Sequence, residues 1–121
     1  NAGEGQRNTM TSMTSSEEQE KQPLTLSAAQ HAVDASIQAL GGYWPPLAAL
    51  ARLFEECGEL ARAVNQTHGP KPVKQGESAA SLEEELGDVL YIALALANDL
   101  GLDAEQALDG ALARSAKRAA K

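Results

Sequence analysis

A chain of 121 residues allows one modest domain and no more. Its formal charge is −7, and eight acids (Glu55, Glu56, Glu59, Glu77, Glu83, Glu84, Glu85 and Asp88) crowd into a third of its length. A polyanion would be repelled there unless a cation intervened, so nucleic acid is not an expected partner. The single cysteine, Cys57, excludes an intrachain disulfide and fits a reducing cytoplasm, and no apolar run approaches the ~18 residues of a membrane span.

The first stretch, 1–24, carries only Met10 and Met13 as sizeable apolar side chains before Leu24. Such a segment cannot bury enough surface to offset the entropy of ordering it, and it reads as a disordered tail or an extension ahead of the natural start. The folded domain is expected over 25–121.

Four helices and no strand are legible in that domain. The first is expected to begin at Ser27, which with Gln30 forms an S-x-x-Q capping box, and to end at Gly41-Gly42. Ala29, Val33, Ile37 and Leu40 supply its apolar spacing. Tyr43-Trp44-Pro45-Pro46 then turns the chain into a second helix running to about Asn65, proline being tolerated in a first helical turn. Its stripe of Leu47, Leu50, Phe54, Cys57, Ala61 and Val64 repeats every ~3.5 residues and suits packing against another helix, with Cys57 as a small buried hydrophobe.

A long loop, 67–80, holds His68, Lys71 and Lys74 between prolines and glycines. Loops of that length in small domains are usually functional or mobile. The third helix starts at Ser81, capped in a box with Glu84, and runs to about Leu100, where Gly101 stops it. From Leu86 to Ala97 it is apolar nearly all round, which requires cover on several sides and predicts at least a homodimer. Asp103 caps a fourth helix that continues to about Arg118.

The chemistry lies in the acids. At ~100° per residue, Glu56 and Glu59 sit about 60° apart on the second helix, flanked by Glu55, and Glu85 and Asp88 repeat that geometry on the third. Packing the two helices together would bring four carboxylates into one pocket. Anions that close repel one another and call for a hard divalent cation, with Mg²⁺ the natural choice because it bridges carboxylates to substrate phosphates. A solvated helix face is the bland alternative, in which Glu83 and Glu84 complement the helix dipole and Glu55 or Glu56 merely pairs with Arg52.

At these residues the sequence resembles the MazG-like nucleotide pyrophosphohydrolases, whose mark is E-E-x-x-E followed by E-x-x-D. Here these are Glu55-Glu56-x-x-Glu59 and Glu85-x-x-Asp88. The runs PLAALARLFEECGELARAVNQTHGPKP and SLEEELGDVLYIALALANDLGLD read like the short single-domain bacterial members, and the likeness extends from about Ala28 to Arg118. The resemblance implies an all-α, four-helix NTP pyrophosphatase fold assembled as a dimer or a dimer of dimers. It implies Mg²⁺, with Mn²⁺ as a substitute, held by Glu56, Glu59, Glu85 and Asp88, and hydrolysis of a canonical or damaged (d)NTP to the monophosphate and pyrophosphate. Glu55 would act as a base or as a support to the ligands.

Relatives often carry a basic residue, an asparagine and an arginine at alternate positions of the last helix. This chain has Arg114, Ala116 and Arg118, so the two cations remain candidates for phosphate but the asparagine is missing. Lys71 and Lys74 are further phosphate candidates or plain solubilising lysines. Asn65 and Asn98 read as caps or surface residues rather than base contacts, and Trp44 as an anchor of its turn. Two other functions stay open: phosphoribosyl-ATP pyrophosphohydrolase, with a related acid pattern, and a non-catalytic helical module that binds a metal or a basic partner.

Overall fold

The structure, a computed structural model, describes residues 22–70, 73 and 81–121. Lys71, Lys74 and most of the expected tail therefore lie outside the described residues. Among those described there are four helices and no strand: α1 Leu26–Ala39, α2 Pro46–His68, α3 Leu82–Asp99 and α4 Ala104–Ala119. The all-α expectation holds, and the helices fall close to where the sequence puts them.

Local signals explain most of the boundaries. Ser81 accepts a hydrogen bond from the Glu84 amide at 3.2 Å and Asp103 accepts one from Gln106, so both caps form as the sequence predicts. Gly101 closes α3 with a φ of +67°, a conformation that costs other residues a clash of Cβ with the backbone. The start of α1 differs. Its cap is Thr25, whose hydroxyl accepts from the Ala28 amide at 3.1 Å, and Ser27 is already inside the helix. The S-x-x-Q box does not form, since Thr25 caps the helix two residues earlier and Gln30 is engaged elsewhere.

Gln30 is the polar hinge pin of the fold. Its side-chain amide donates to Asn98 Oδ1 (3.0 Å) and to the Leu102 carbonyl (2.9 Å), while its oxygen accepts from the Ala104 amide (2.9 Å). Asn98 returns a bond to the Gln30 carbonyl. One side chain on α1 thus satisfies backbone groups at the end of α3 and the start of α4, and Asn98 takes a structural role. Replacing Gln30 with alanine removes three hydrogen bonds at once. At about 1 kcal/mol each, the expected loss is roughly 2–3 kcal/mol, measurable as a lowered urea midpoint.

Helix α3 is the centre of the chain, with α2 against one side and α1 against the other. Every residue from 91 to 99 is buried or half-buried, so the C-terminal half of this apolar helix is covered within the chain itself. The N-terminal half is not, because Leu86 and Leu90 stay exposed. The need for outside cover is narrower than the sequence suggested.

Helix α2 brings a larger correction. The side turned to α3 carries Leu53, Glu56, Leu60 and Ala63, and the stripe of Leu47, Leu50, Phe54, Cys57, Ala61 and Val64 points away. Leu47 is 80% exposed, Phe54 71%, and Cys57 is exposed rather than buried. Two heptad-spaced seams run along this helix, and α3 takes the less apolar one. Among the described residues the core contains Val33, Ala63 and Ala95, and no large side chain is fully buried.

Candidate active site

The seam that α2 turns to α3 explains where the acids go. Glu56 lies between Leu53 and Leu60 on the packed face and is only 8% exposed. Glu85 and Asp88, one turn apart in the first part of α3, meet it across the helix pair. One carboxylate oxygen from each of Glu56, Glu85 and Asp88 lies within 4.8 Å of the other two.

Glu59 stands at the edge of this trio. It adds to the negative field on Glu85, yet it is exposed and its carboxylate lies 4.0 Å from Arg62. The structure thus brings three of the four expected ligands into one cluster and leaves the fourth a short way off. Glu55, next to Glu56 on α2, is exposed. Arg114 and Arg118 are exposed on α4, the helix that packs on α1, and among the described residues neither makes an ion pair with the cluster.

The pairing of Arg52 with Glu56 that the sequence allowed does form, with Nε 3.0 Å from Oε1. It offsets part of the charge and fixes the carboxylate's orientation. The guanidinium carbon also stands 6.0 Å from the centre of the Trp44 ring, within reach of a cation–π contact. Arg52 therefore joins the carboxylate site to the turn ahead of α2.

The field inside the cluster appears in Glu85. Desolvation raises its pKa above the ordinary 4.5, and the charges of Asp88, Glu59, Glu56 and Glu84 push the same way. A folded-state pKa above the unfolded one means that folding favours the protonated acid. In the metal-free protein this group opposes folding at neutral pH; the penalty is relieved as pH falls through the raised value and is gone below 4.5. Glu85→Gln should therefore raise the melting temperature of the metal-free protein near neutral pH, and the gain should vanish as pH falls toward 4.5. Thermal melts of both proteins across that range check it.

These residues fit a hard divalent cation. The donors are all carboxylate oxygens, and their mutual repulsion is the kind that such an ion relieves.

Beside the cluster lies a cavity of about 260 Å³, walled by Tyr43, Trp44 and Arg52 on one side and Tyr91, Ile92 and Ala95 on the other. Tyr43 is held by a hydrogen bond from its hydroxyl to Asp34, and Tyr91 shares one of 2.7 Å with Ser36. Neither tyrosine stands out in the sequence. Tyr91 is hidden in the all-apolar run of α3, and Tyr43 reads as part of a turn.

Comparison with known proteins identifies the family. The family model for the MazG nucleotide pyrophosphohydrolase domain matches residues 45–121. The uncharacterised protein YpjD of Bacillus subtilis strain 168 is 50% identical over 86 residues, spanning 70% of this chain and 78% of its own. The crystal structure of YpjD from Bacillus subtilis superimposes with a TM-score of 0.69 at 44% identity, over 78% of this chain and 97% of that one. That of the Bacillus-conserved MazG protein, a nucleotide pyrophosphohydrolase, gives 0.66 at 41%, over 78% of this chain and 92% of its own. With its carboxylate cluster inside the matched segment, this chain belongs to the MazG family and is a nucleotide pyrophosphohydrolase.

Proposed function

We propose that the chain hydrolyses a nucleoside triphosphate, canonical or damaged, to the monophosphate and pyrophosphate with Mg²⁺ held by Glu56, Glu59, Glu85 and Asp88. The observation that carries this reading is the convergence of Glu56, Glu85 and Asp88 within 4.8 Å. Glu59, one turn from Glu56 on α2, completes the set by a change of side-chain rotamer. When bound, the ion supplies neutralisation of the polyphosphate and a water that ionises more readily.

The chain's own groups do the rest. Arg52 holds Glu56 in place, and the packed Leu53 and Leu60 keep that carboxylate from swinging into solvent. Water oxygen bonds to the α-phosphorus, the bridging bond to the β-phosphate breaks, and pyrophosphate leaves. Glu55 is assigned the role of taking the proton from that water. Arg114, Arg118, Lys71 and Lys74 are assigned to the phosphates, the two arginines of α4 reaching them from a second copy. The catalytic unit is 25–121, working in the cytoplasm as a dimer or a dimer of dimers. No helix among the described residues is long and apolar enough to cross a membrane.

A panel of dNTPs, NTPs and phosphoribosyl-ATP, assayed for pyrophosphate with Mg²⁺ and with chelator, tests the reading. Release from dNTPs or NTPs that stops on chelation is the expected result. Release from phosphoribosyl-ATP alone would assign the histidine-pathway reaction instead. No release from any of them would leave a binding module.

A further inference from the structure

Helix α4 is held to the rest of the chain mainly at its beginning. It packs on α1, yet it buries no residue, and every position from 111 to 121 is exposed. The connection from α3 passes through Gly101 at a φ of +67°, a residue with no Cβ to limit its rotation. The angle at which α4 leaves must therefore be fixed from outside that connection.

Gln30 of α1 supplies the fixing. Its oxygen accepts from the Ala104 amide, the first of α4, and its nitrogen donates to the Leu102 carbonyl, at 2.9 Å each. The two bonds grip the chain on both sides of the cap residue Asp103. The same nitrogen donates to Asn98 Oδ1 at 3.0 Å, and Asn98 donates back to the Gln30 carbonyl at 2.9 Å. Asn98 belongs to α3, the helix that carries Glu85 and Asp88. One half-buried amide thus ties the helix of the acids to the first turn of the helix that bears Arg114 and Arg118.

Length magnifies any error at that tie. Arg114 and Arg118 lie about 15 and 21 Å along the axis beyond Ala104. A tilt of about 10° in the first turn displaces them by roughly 3 and 4 Å. A guanidinium moved that far no longer stands at hydrogen-bond distance from a fixed phosphate.

We propose that Gln30, locked by Asn98, is a positioning residue for the reaction: it sets the direction of α4 and so aims Arg114 and Arg118 at the phosphates. The proposal rests on the assignment of those arginines above and adds what aims them. Gln30 acts through the Ala104 amide and the Leu102 carbonyl and makes no contact with the nucleotide.

Two variants loosen the tie. Gln30→Ala removes it whole. Ala104→Pro removes only the amide that Gln30 accepts, at a first helical position where proline is tolerated. Both are compared with the wild type well below each melting temperature, on the dNTP that the panel above ranks first. KM should rise about tenfold in Gln30→Ala and about threefold in Ala104→Pro, with kcat changing by less than about twofold. A mere loss of folded enzyme would lower kcat and leave KM alone. Trypsin should cut after Arg114 about tenfold faster in Gln30→Ala, because the first turn of α4 opens more often. In a chain carrying both Arg114→Ala and Arg118→Ala, Gln30→Ala should raise KM no further.

An unchanged KM in both Gln30→Ala and Ala104→Pro would overturn the proposal. So would equal trypsin rates, or a rise in KM that persists once the arginines are gone. The double arginine variant separates this inference from the reading beneath it. A normal KM there would refute the phosphate assignment of Arg114 and Arg118. A raised KM there, beside normal values in Gln30→Ala and Ala104→Pro, would refute the aiming role alone.

Discussion

Asp88→Asn and Glu59→Gln are each expected to cut pyrophosphate release by about two to four orders of magnitude while the protein stays folded. Each change keeps side-chain shape and hydrogen-bonding capacity and removes one negative charge from the set proposed to hold the cation. Several kcal/mol of phosphate neutralisation are lost, and every ~1.4 kcal/mol is tenfold in rate. The metal-free fold should hold or gain stability, because the repulsion felt at Glu85 comes from Asp88 and Glu59 among others. The two variants differ in what they test. Asp88 lies inside the three-acid cluster, whereas Glu59 lies beside it, toward Arg62. A large loss in Asp88→Asn with near-normal turnover in Glu59→Gln would reduce the ligand set to the three clustered acids. Full turnover in both would refute the site. Glu83→Gln, in the first turn of α3 where an acid complements the helix dipole, is the control and should leave the rate nearly unchanged.

What the sequence disclosed, and what it did not, follows from the range of the forces involved. Ser81 and Asp103 are local signals, a hydroxyl or carboxylate and an amide three residues on, and both were legible. The clustering of Glu56, Glu85 and Asp88 was legible too, because the i, i+3 spacing fixes a helix face and two such faces needed only to meet. Ser27 is less legible, because Thr25 offers a competing hydroxyl two residues earlier and the partners of Gln30 lie about seventy positions away. The packed face of α2 is hidden for another reason. Its outward stripe is the more apolar of two seams, and hydrophobicity alone selects it. The inward seam accommodates Glu56, which Arg52 partly neutralises. The cavity at Trp44 depends on side chains from three parts of the chain and left no periodic trace.

That outward seam supports the second large effect: Phe54→Asp should dissociate the oligomer that we propose. Phe54 sits in the middle of the Leu47–Val64 stripe, with Leu86 and Leu90 also exposed on α3. A chain whose described core holds no fully buried large side chain has little to stabilise it alone. Covering the stripe with the same stripe of a second copy is the self-complementary solution, and each large apolar side chain buried there contributes roughly 1.5–3 kcal/mol. An aspartate at its centre would instead be desolvated without a partner, in both copies at once. Light scattering at micromolar concentration and physiological salt should show a multiple of the 12.7 kDa chain for the wild type and a smaller species for Phe54→Asp. The wild type's melting temperature should rise with protein concentration, and the variant should be less stable throughout. Cys57 gives a second readout, since it lies in the stripe and is exposed in the single chain. A thiol reagent should label it slowly in the wild type and fast in Phe54→Asp. A monomeric wild type with a freely reactive Cys57 would overturn the interface and leave the stripe without an occupant.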